Sequence, residues 1–255
     1  MLHVFTRDRV WTIVAIGFLT LGAWGYIALL AFEMGSSAGP LMAAMPRSFG
    51  WGLTDFLFMF AMWTVMMIAM MLPSAVPMIL LFEKVGQRRA SHNRSAVAPS
   101  VFMVGYLVVW VVFSLAATLL NGLFHGSGLL TSVMGRATPL VAGGLLIAAG
   151  FFQWTPLKHA CLEHCRSPIG FLMAYWQDGH AGALRMGVHH GMYCVGCCWL
   201  LMALLFVLGV MNVAWIAVLA AFVLLEKIVP QGVILSRVTG VFLVLWGGIV
   251  LMAGF

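Results

Sequence analysis

Long apolar runs separated by short polar segments make up most of the chain. We identify seven such runs, at residues 10–32, 53–81, 101–124, 138–154, 186–207, 213–225 and 239–255. A helix needs roughly 20 apolar residues to cross a hydrocarbon core about 30 Å thick. The pattern therefore predicts an all-α, polytopic membrane helix bundle with about seven transmembrane helices. Because no long linker interrupts the runs, we expect residues 1–255 to form a single transmembrane domain.

The composition agrees with this pattern. Hydrophobic residues make up 63% of the chain and charged residues 8%, and the mean hydropathy is +1.06. A water-soluble surface cannot be assembled from such a chain, so the lipid bilayer is the expected environment. Arg7 and Arg9 precede the first run as in a signal peptide, but the run exceeds the roughly 7 to 15 residues of such a segment. We therefore expect it to be retained as a helix.

The Lys and Arg residues predict an orientation. With the N-terminus inside, eleven of the 13 fall in inner segments: Arg7, Arg9, Lys84, Arg88, Arg89, Arg94, Lys158, Arg166, Arg185, Lys227 and Arg237. Only Arg47 and Arg136 fall in outer loops. The positive-inside rule then predicts a multi-pass protein of a bacterial-type cytoplasmic (inner) membrane, with Asn93 inside and Phe255 outside. The net charge of +6 reflects this topology and gives no indication of nucleic-acid binding.

Residues 189–202, HHGMYCVGCCWLLM, combine histidine and cysteine inside an apolar run. Positions three and four apart share a helix face, so one stripe contains His190, Cys194, Cys197 and Cys198. Gly187 and Gly191 would let another helix approach closely, so the stripe is expected to face protein. Thiolate and imidazole are ligands of soft or borderline metal ions. The stripe predicts a metal site, with dithiol redox chemistry or plain packing as alternatives.

A second cluster lies in residues 158–168, KHACLEHCRSP. On a helix, Cys161, His164 and Cys165 stand at positions i, i+3 and i+4 and could converge on one ion. The alternative is an amphipathic interfacial helix with incidental cysteines. Because the segment follows the fourth run on the inner side, we expect it at the inner membrane surface. It would then lie about half a bilayer from the stripe, as a separable site for capture or release.

Methionines add a third sulfur pattern. One face of the second run contains Met59, Met62, Met66 and Met70. Thioethers bind Cu(I), although methionine also fills gaps in apolar helices. Counting residues from the span ends places Met66 and Met70 at the depth of Cys197, so they could complete its site. Pro73 and Pro77 are expected to bend this helix and to free carbonyl groups that need partners.

Other chemistries lack their residues in this sequence. We find no carboxylate pair, Ser-His-Asp arrangement or phosphate-binding loop, which argues against hydrolytic and nucleotide-driven functions. A zinc ribbon would need two CxxC pairs and only one is present, so zinc is a weaker fit than copper. Glu226 lies beside Lys227 near the end of the sixth run. We interpret it as a salt-bridged residue of the membrane interface.

Four segments carry a family resemblance: MWTVMMIAMMLPSAVPM, QWTPLKHACLEHCRSP, GVHHGMYCVGCCWLLMALLFVLGVMN and VLLEKIVPQG. From residue 51 to the C-terminus, the chain resembles the domain-of-unknown-function family 2182. Its members are described as predicted metal-binding integral membrane proteins and are sometimes labelled copper chaperones. The resemblance implies functional positions at Cys161, Cys165, His190, Cys194, Cys197 and Cys198.

These observations together predict a membrane protein that binds copper, as Cu(I), for handling or for delivery to a small protein partner or a copper enzyme. The predicted ligands are Cys194, Cys197, Cys198, His190, Cys161, His164, Cys165, Met66 and Met70. Two alternatives stay open. One is a copper-dependent membrane oxidoreductase acting on a small substrate such as a phenol, and the other is a membrane dithiol redox protein that needs no metal.

Overall fold

The computed structural model describes residues 2–36, 52–90, 97–128, 137–209 and 212–253, and within these ranges it contains helices and no β-strand. The helices are α1 (Leu2–Ser36), α2 (Leu53–Ala90), α3 (Pro99–Gly126), α4 (Pro139–Phe152), α5 (Pro156–Arg166), α6 (Pro168–Tyr175), α7 (Gly179–Ala203), α8 (Leu205–Leu208), α9 (Val213–Ile228) and α10 (Gly232–Ala253). The predicted all-α class is confirmed.

By length and composition, five helical segments of the described chain can cross a membrane: Arg9–Glu33, Leu53–Arg89, Pro99–Gly126, Gly179–Leu208 and Gly232–Ala253. The pair α4 and α5, bent by 66° at their junction, counts as a sixth if it forms one span. The predicted run 213–225 lies in α9, whose 16 residues are fewer than the roughly 20 of a full crossing. A helical membrane bundle is confirmed, and in the described residues five segments, or six with the bent pair, are long and apolar enough for a full crossing.

Prolines divide the fourth passage into short helices. α4, α5 and α6 each begin at a proline, which suits a first turn because its φ is fixed and its missing N–H needs no partner there. Thr155 caps α5, because its Oγ1 accepts from the backbone N of Lys158 at 3.3 Å. The segment beside α7 is therefore a series of short helices with a bend between α4 and α5, and not one continuous helix. This break decides where α5 and its cysteines lie.

Close glycine contacts join α3 and α7. A Cβ atom on Gly187 would collide with the backbone of Phe102, and one on Gly191 would lie 2.9 Å from a side-chain atom of Val109. Since residue numbers rise together along this contact, the two helices run parallel. The predicted close approach of another helix at Gly187 and Gly191 is confirmed.

The proline region of α2 contacts α1. Pro73 has no N–H to donate to the carbonyl of Ala69, and the indole Nε1 of Trp24 donates to that oxygen instead, at 3.1 Å. The prediction that the prolines free carbonyls which protein groups then satisfy is confirmed for Ala69. Residues on either side of this contact are buried in the core.

The helix directions place the two ends of the bundle. A cavity lined by Trp11 of α1 and Glu83 of α2 brings the start of α1 to the end of α2, so these helices are antiparallel. At the opposite end, Ala137 N donates to Phe206 O at 2.9 Å, which joins the segment before α4 to α8, the short helix that follows α7. α10 packs antiparallel to α4, since Gly143 contacts Gly247 and Gly150 contacts Gly240. α10 therefore ends at the end of the bundle opposite to Arg88 and Arg89.

A reporter experiment tests the predicted orientation. Arg47, Asn93, Arg94, Arg136 and Phe255 lie outside the described residues. The helix directions put the end of α2 and the end of α10 at opposite ends of the bundle. We expect a reporter inserted at Asn93 to behave as cytoplasmic and one fused after Phe255 as external, in an alkaline phosphatase and fluorescent-protein pair. An external reporter at Asn93 with a cytoplasmic one after Phe255 would contradict the predicted orientation. Two reporters on the same side of the membrane would contradict the helix directions.

Candidate metal centre

The α7 stripe lies in the interior of the bundle. Cys194, Cys197, Cys198 and His190 are all buried, which confirms the prediction that the stripe faces protein. Cys197 Sγ donates to the carbonyl oxygen of Cys194 at 3.1 Å, and Cys198 Sγ donates to the same oxygen at 3.0 Å. Both thiols are therefore turned back against the backbone of their own helix. All five cysteines of the chain are free thiols.

The broken passage brings the second cysteine pair to this stripe. The thiol of Cys165 lies near those of Cys194 and Cys197 and interacts with them electrostatically. Cys161 Sγ occupies the space beside Gly196, where an added Cβ would lie 2.7 Å from it. The predicted separation of half a bilayer is wrong. The 66° bend between α4 and α5 lays α5 along α7, so one cluster contains sulfur from both segments.

Cys194 has polar contacts from two other helices, and both contacting groups are in turn bound to α2. Lys227 Nζ on α9 donates to Cys194 Sγ at 3.0 Å and to Ser74 Oγ on α2 at 2.8 Å. Tyr106 Oη on α3 lies 3.1 Å from the same sulfur and donates to the carbonyl of Met71 at 3.0 Å. A positive charge at this distance stabilises negative charge on the sulfur. The contacts make Cys194 the centre of the cluster.

A buried ion pair adjoins the cluster, and the sequence analysis did not predict it. Lys158 Nζ on α5 lies 2.8 Å from Glu226 Oε1 on α9, and the side chains are 0% and 1% exposed. Lys158 also donates to Gln153 Oε1, which accepts from Ser236 Oγ at 2.9 Å. The prediction that Glu226 is salt-bridged is confirmed, but its partner is Lys158 and the pair is buried in the bundle, so the interfacial position is wrong. Charged residues close to the ends of apolar runs were the available signal.

These contacts also change the charge count behind the predicted orientation. Lys158 is buried against Glu226, and Lys227 donates to Cys194 and Ser74. Neither residue is a loop charge. The orientation bias therefore rests on the remaining basic residues of the inner segments, which still outnumber Arg47 and Arg136.

The two predicted histidine ligands differ in their surroundings. His190 packs among the rings of Phe102, Tyr106 and Phe171, and its Nδ1 is buried without a hydrogen-bond partner among the described residues. His164 Nδ1 lies 2.8 Å from the carbonyl of Ala160, and its ring stacks on Tyr193 with centroids 4.2 Å apart. The ring of His164 thus packs on Tyr193, whereas the Nδ1 atom of His190 has no hydrogen-bond partner in the described part of the chain and could bind a metal ion.

The two predicted methionine ligands are buried, and they lie near the predicted depth, that of Cys197. Met66 and Met70 are 1% and 2% exposed. The contacts of Cys194 with Tyr106 and Lys227 put it level with residues 71–74 of α2. α2 runs antiparallel to α7, so Met70 and Met66 lie toward the level of Cys197 and Cys198. Their role as ligands stays a prediction.

The thiols are neighbours but do not surround a common point. Within the described residues, no group of three or more His, Cys, Asp or Glu side chains is arranged to hold a metal ion, so the predicted convergence of Cys161, His164 and Cys165 is not found. A change of side-chain rotamer would turn Cys197 and Cys198 away from the backbone carbonyl. The donor set fits copper chemically, because thiolates select Cu(I).

Comparison with known proteins gives one family. The family model described as "PpoB2: Copper chaperone" matches residues 60–250. That range includes all five cysteines, Lys227 and the Lys158–Glu226 pair, and the match confirms the resemblance carried by the four sequence segments. No curated protein and no solved structure matches the chain.

Proposed function

Because the chain belongs to the PpoB2 family, described as copper chaperones, we propose that it binds Cu(I) within the membrane and delivers it to a partner protein or copper enzyme. The observation that supports this most is the meeting of thiols from two separate segments. Cys161 of α5 lies against Gly196 of α7. Cys165, one turn further along α5, interacts electrostatically with Cys194 and Cys197, and Cys198 is the next residue on the same buried face. In this proposal these four thiols are the candidate ligands, and two of them bind the copper ion as thiolates at any one time.

The charges around the cluster favour a monovalent ion. In a low-dielectric interior, net charge is costly. One Cu(I) with two thiolates has a net charge of −1, which the ammonium group of Lys227 balances from its position 3.0 Å from Cys194 Sγ. A divalent ion with the same two thiolates and Lys227 would leave a net positive charge. This balance supports Cu(I) over zinc.

Accessibility suggests an order of ligand use. Cys161 and Cys165 are partly exposed, whereas Cys194, Cys197 and Cys198 are buried. Copper would therefore meet the α5 thiols first and pass to the α7 thiols by ligand exchange. In this proposal α5 keeps the capture role that its cysteines suggested. It performs that role at the edge of the central cluster.

Metal analysis of the purified protein tests the proposal. The protein is extracted from membranes of cells supplied with copper and zinc, with all five cysteines intact, and its metal content and electron-spin resonance are measured. We expect about one copper per chain, spin-silent as Cu(I). Zinc in place of copper, or no metal, would overturn the proposal. A Cu(II) signal that responds to a phenol would support the oxidoreductase alternative instead.

The buried methionines give a further expectation. If Met66 and Met70 help to bind copper, replacing both by Leu should weaken Cu(I) binding by about tenfold, or about 1.4 kcal/mol, because Leu keeps the apolar bulk and loses the thioether. Competition with a Cu(I) chelator measures the affinity. The matched control is Met59→Leu with Met78→Leu, two methionines that are also buried on α2. Equal affinities in the two double variants would assign Met66 and Met70 to packing.

A further inference from the structure

The last turn of α9 contacts both halves of the cysteine cluster through neighbouring residues. Glu226 binds Lys158 of α5, and Lys227 binds Cys194 of α7. Because the two residues are adjacent in the chain, they cannot move independently by more than a side chain's reach. α9 therefore fixes the position of α5 relative to α7.

α5 is attached to this region at both of its ends. At its start, Lys158 contacts Glu226 at 2.8 and 3.0 Å. At its end, Arg166 Nη2 donates to the carbonyl of Val229 at 2.8 Å and to that of Pro230 at 2.6 Å. Both contacts are to the segment that ends α9 and leads to α10. The α5 thiols lie between these two attachments.

The same face of α5 carries its ion-pair residue and its thiols. Lys158, Cys161 and Cys165 stand at positions i, i+3 and i+7, which align on a helix. A translation or rotation of α5 that moved Cys165 away from Cys194 would also pull Lys158 from Glu226. Apolar contacts tolerate such sliding. A buried ion pair does not, because a separated charge in the interior has no water to solvate it.

We infer that Glu226, acting through Lys158, is the positioning residue that places Cys165 within reach of Cys194 and Cys197, so that the metal site has a ligand from α5. The role of Cys165 as a copper ligand rests on the proposed function. The role of Glu226 in positioning Cys165 beside Cys194 does not depend on copper. The experiment therefore has a copper-free arm and a copper arm.

The copper-free arm measures the proximity of two thiols. In a variant whose only cysteines are Cys165 and Cys194, brief treatment with iodine should form a disulfide, detected as a cross-linked peptide by mass spectrometry. Glu226→Gln should lower the yield severalfold, and the exchanged pair Lys158→Glu with Glu226→Lys should restore much of it. The control is Glu163→Gln, the same chemical change at an exposed position of α5. An unchanged yield in Glu226→Gln would overturn the inference.

If the Glu226→Gln protein does not fold, the Glu226→Asp variant tests the inference in its place. It retains the charge but shortens the side chain by one methylene, so Lys158 must move to keep its partner. We expect a yield between those of Glu226→Gln and the parent. Size-exclusion chromatography establishes which variants remain folded. A parent-like yield in a folded Glu226→Asp protein, together with no folded Glu226→Gln protein, would assign Glu226 to stability alone and overturn the inference.

The copper arm asks whether Glu226 acts through Cys165. Glu226→Gln should weaken Cu(I) binding about tenfold in the otherwise native chain and leave it unchanged when Cys165 is already Ser. An equal loss in both backgrounds would mean that Glu226 acts elsewhere, which contradicts the inference. If the native chain binds no copper but the disulfide yield still depends on Glu226, the proposed function fails and the positioning role stands.

Discussion

Replacing Cys194, Cys197 and Cys198 together by Ser should remove nearly all bound copper from the purified protein. The three thiols supply most of the donors of the buried cluster, and a hydroxyl is a poor ligand for a soft ion. We expect copper content to fall from about one per chain to below roughly a tenth of that. Elemental analysis of protein from copper-supplied cells measures it.

A second triple variant separates loss of ligands from loss of fold. Three buried hydroxyl groups cost free energy where they lack partners, about 1 to 3 kcal/mol each, so the Ser variant is less stable for reasons unrelated to copper. The Cys→Ala triple variant avoids that cost and should lose as much copper. Helical content and size-exclusion behaviour establish that each protein is folded. Retained copper in a folded Ala variant would assign the stripe to packing.

Replacing Lys227 by Met should weaken Cu(I) binding by at least about tenfold. Without the ammonium group at 3.0 Å from Cys194 Sγ, two thiolates and one Cu(I) leave an uncompensated negative charge in the interior. Two unit charges 4 Å apart interact by about 4 kcal/mol at an effective dielectric constant of 20, and losing about a third of that interaction already weakens binding about tenfold. The affinity is measured by competition with a Cu(I) chelator.

Lys84→Met is the matched control for this variant. Lys84 is exposed on α2, so its charge is screened by solvent, and we expect native affinity. Lys227→Arg should retain part of the affinity, because it keeps the charge but changes the geometry of the contact with Ser74. Native affinity in Lys227→Met would remove the ammonium group from the copper site.

The helical stripe on α7 could be predicted from spacing alone. Cys194, Cys197 and Cys198 lie three or four residues apart, and a straight helix puts them on one face whatever its surroundings. Gly187 and Gly191 likewise signalled a close helix contact, which α3 provides. Local periodicity determined these features, so the sequence was sufficient for them.

The position of α5 could not be predicted in the same way. Pro156 and Pro168 indicate helix starts, but they do not determine the 66° bend or the direction in which the chain turns. The ion pair between Lys158 and Glu226 joins residues far apart in sequence, and each looked like an ordinary charge near a span end. The expectation that residues 158–168 lie at the inner membrane surface agreed with counting Lys158 as an exposed cation.

The same limit applies to Lys227. Its contacts with Cys194 and Ser74 join α9 to α7 and α2, and no spacing rule connects those segments. A lysine just beyond the end of an apolar run was the signal for Lys227, and it did not specify a partner. The candidate ligands were thus predictable from the sequence. Their assembly into one cluster depends on tertiary contacts.

X-ray absorption at the copper edge, on Cu(I)-loaded native protein and on Cys165→Ala, tests the central claim that α5 and α7 contribute thiols to one copper site. The loaded native protein should show a first shell dominated by sulfur, and Cys165→Ala should lose one sulfur from that shell while still binding copper through the α7 thiols. A first shell of nitrogen and oxygen in the native protein, or an identical sulfur shell in both proteins, would contradict the claim.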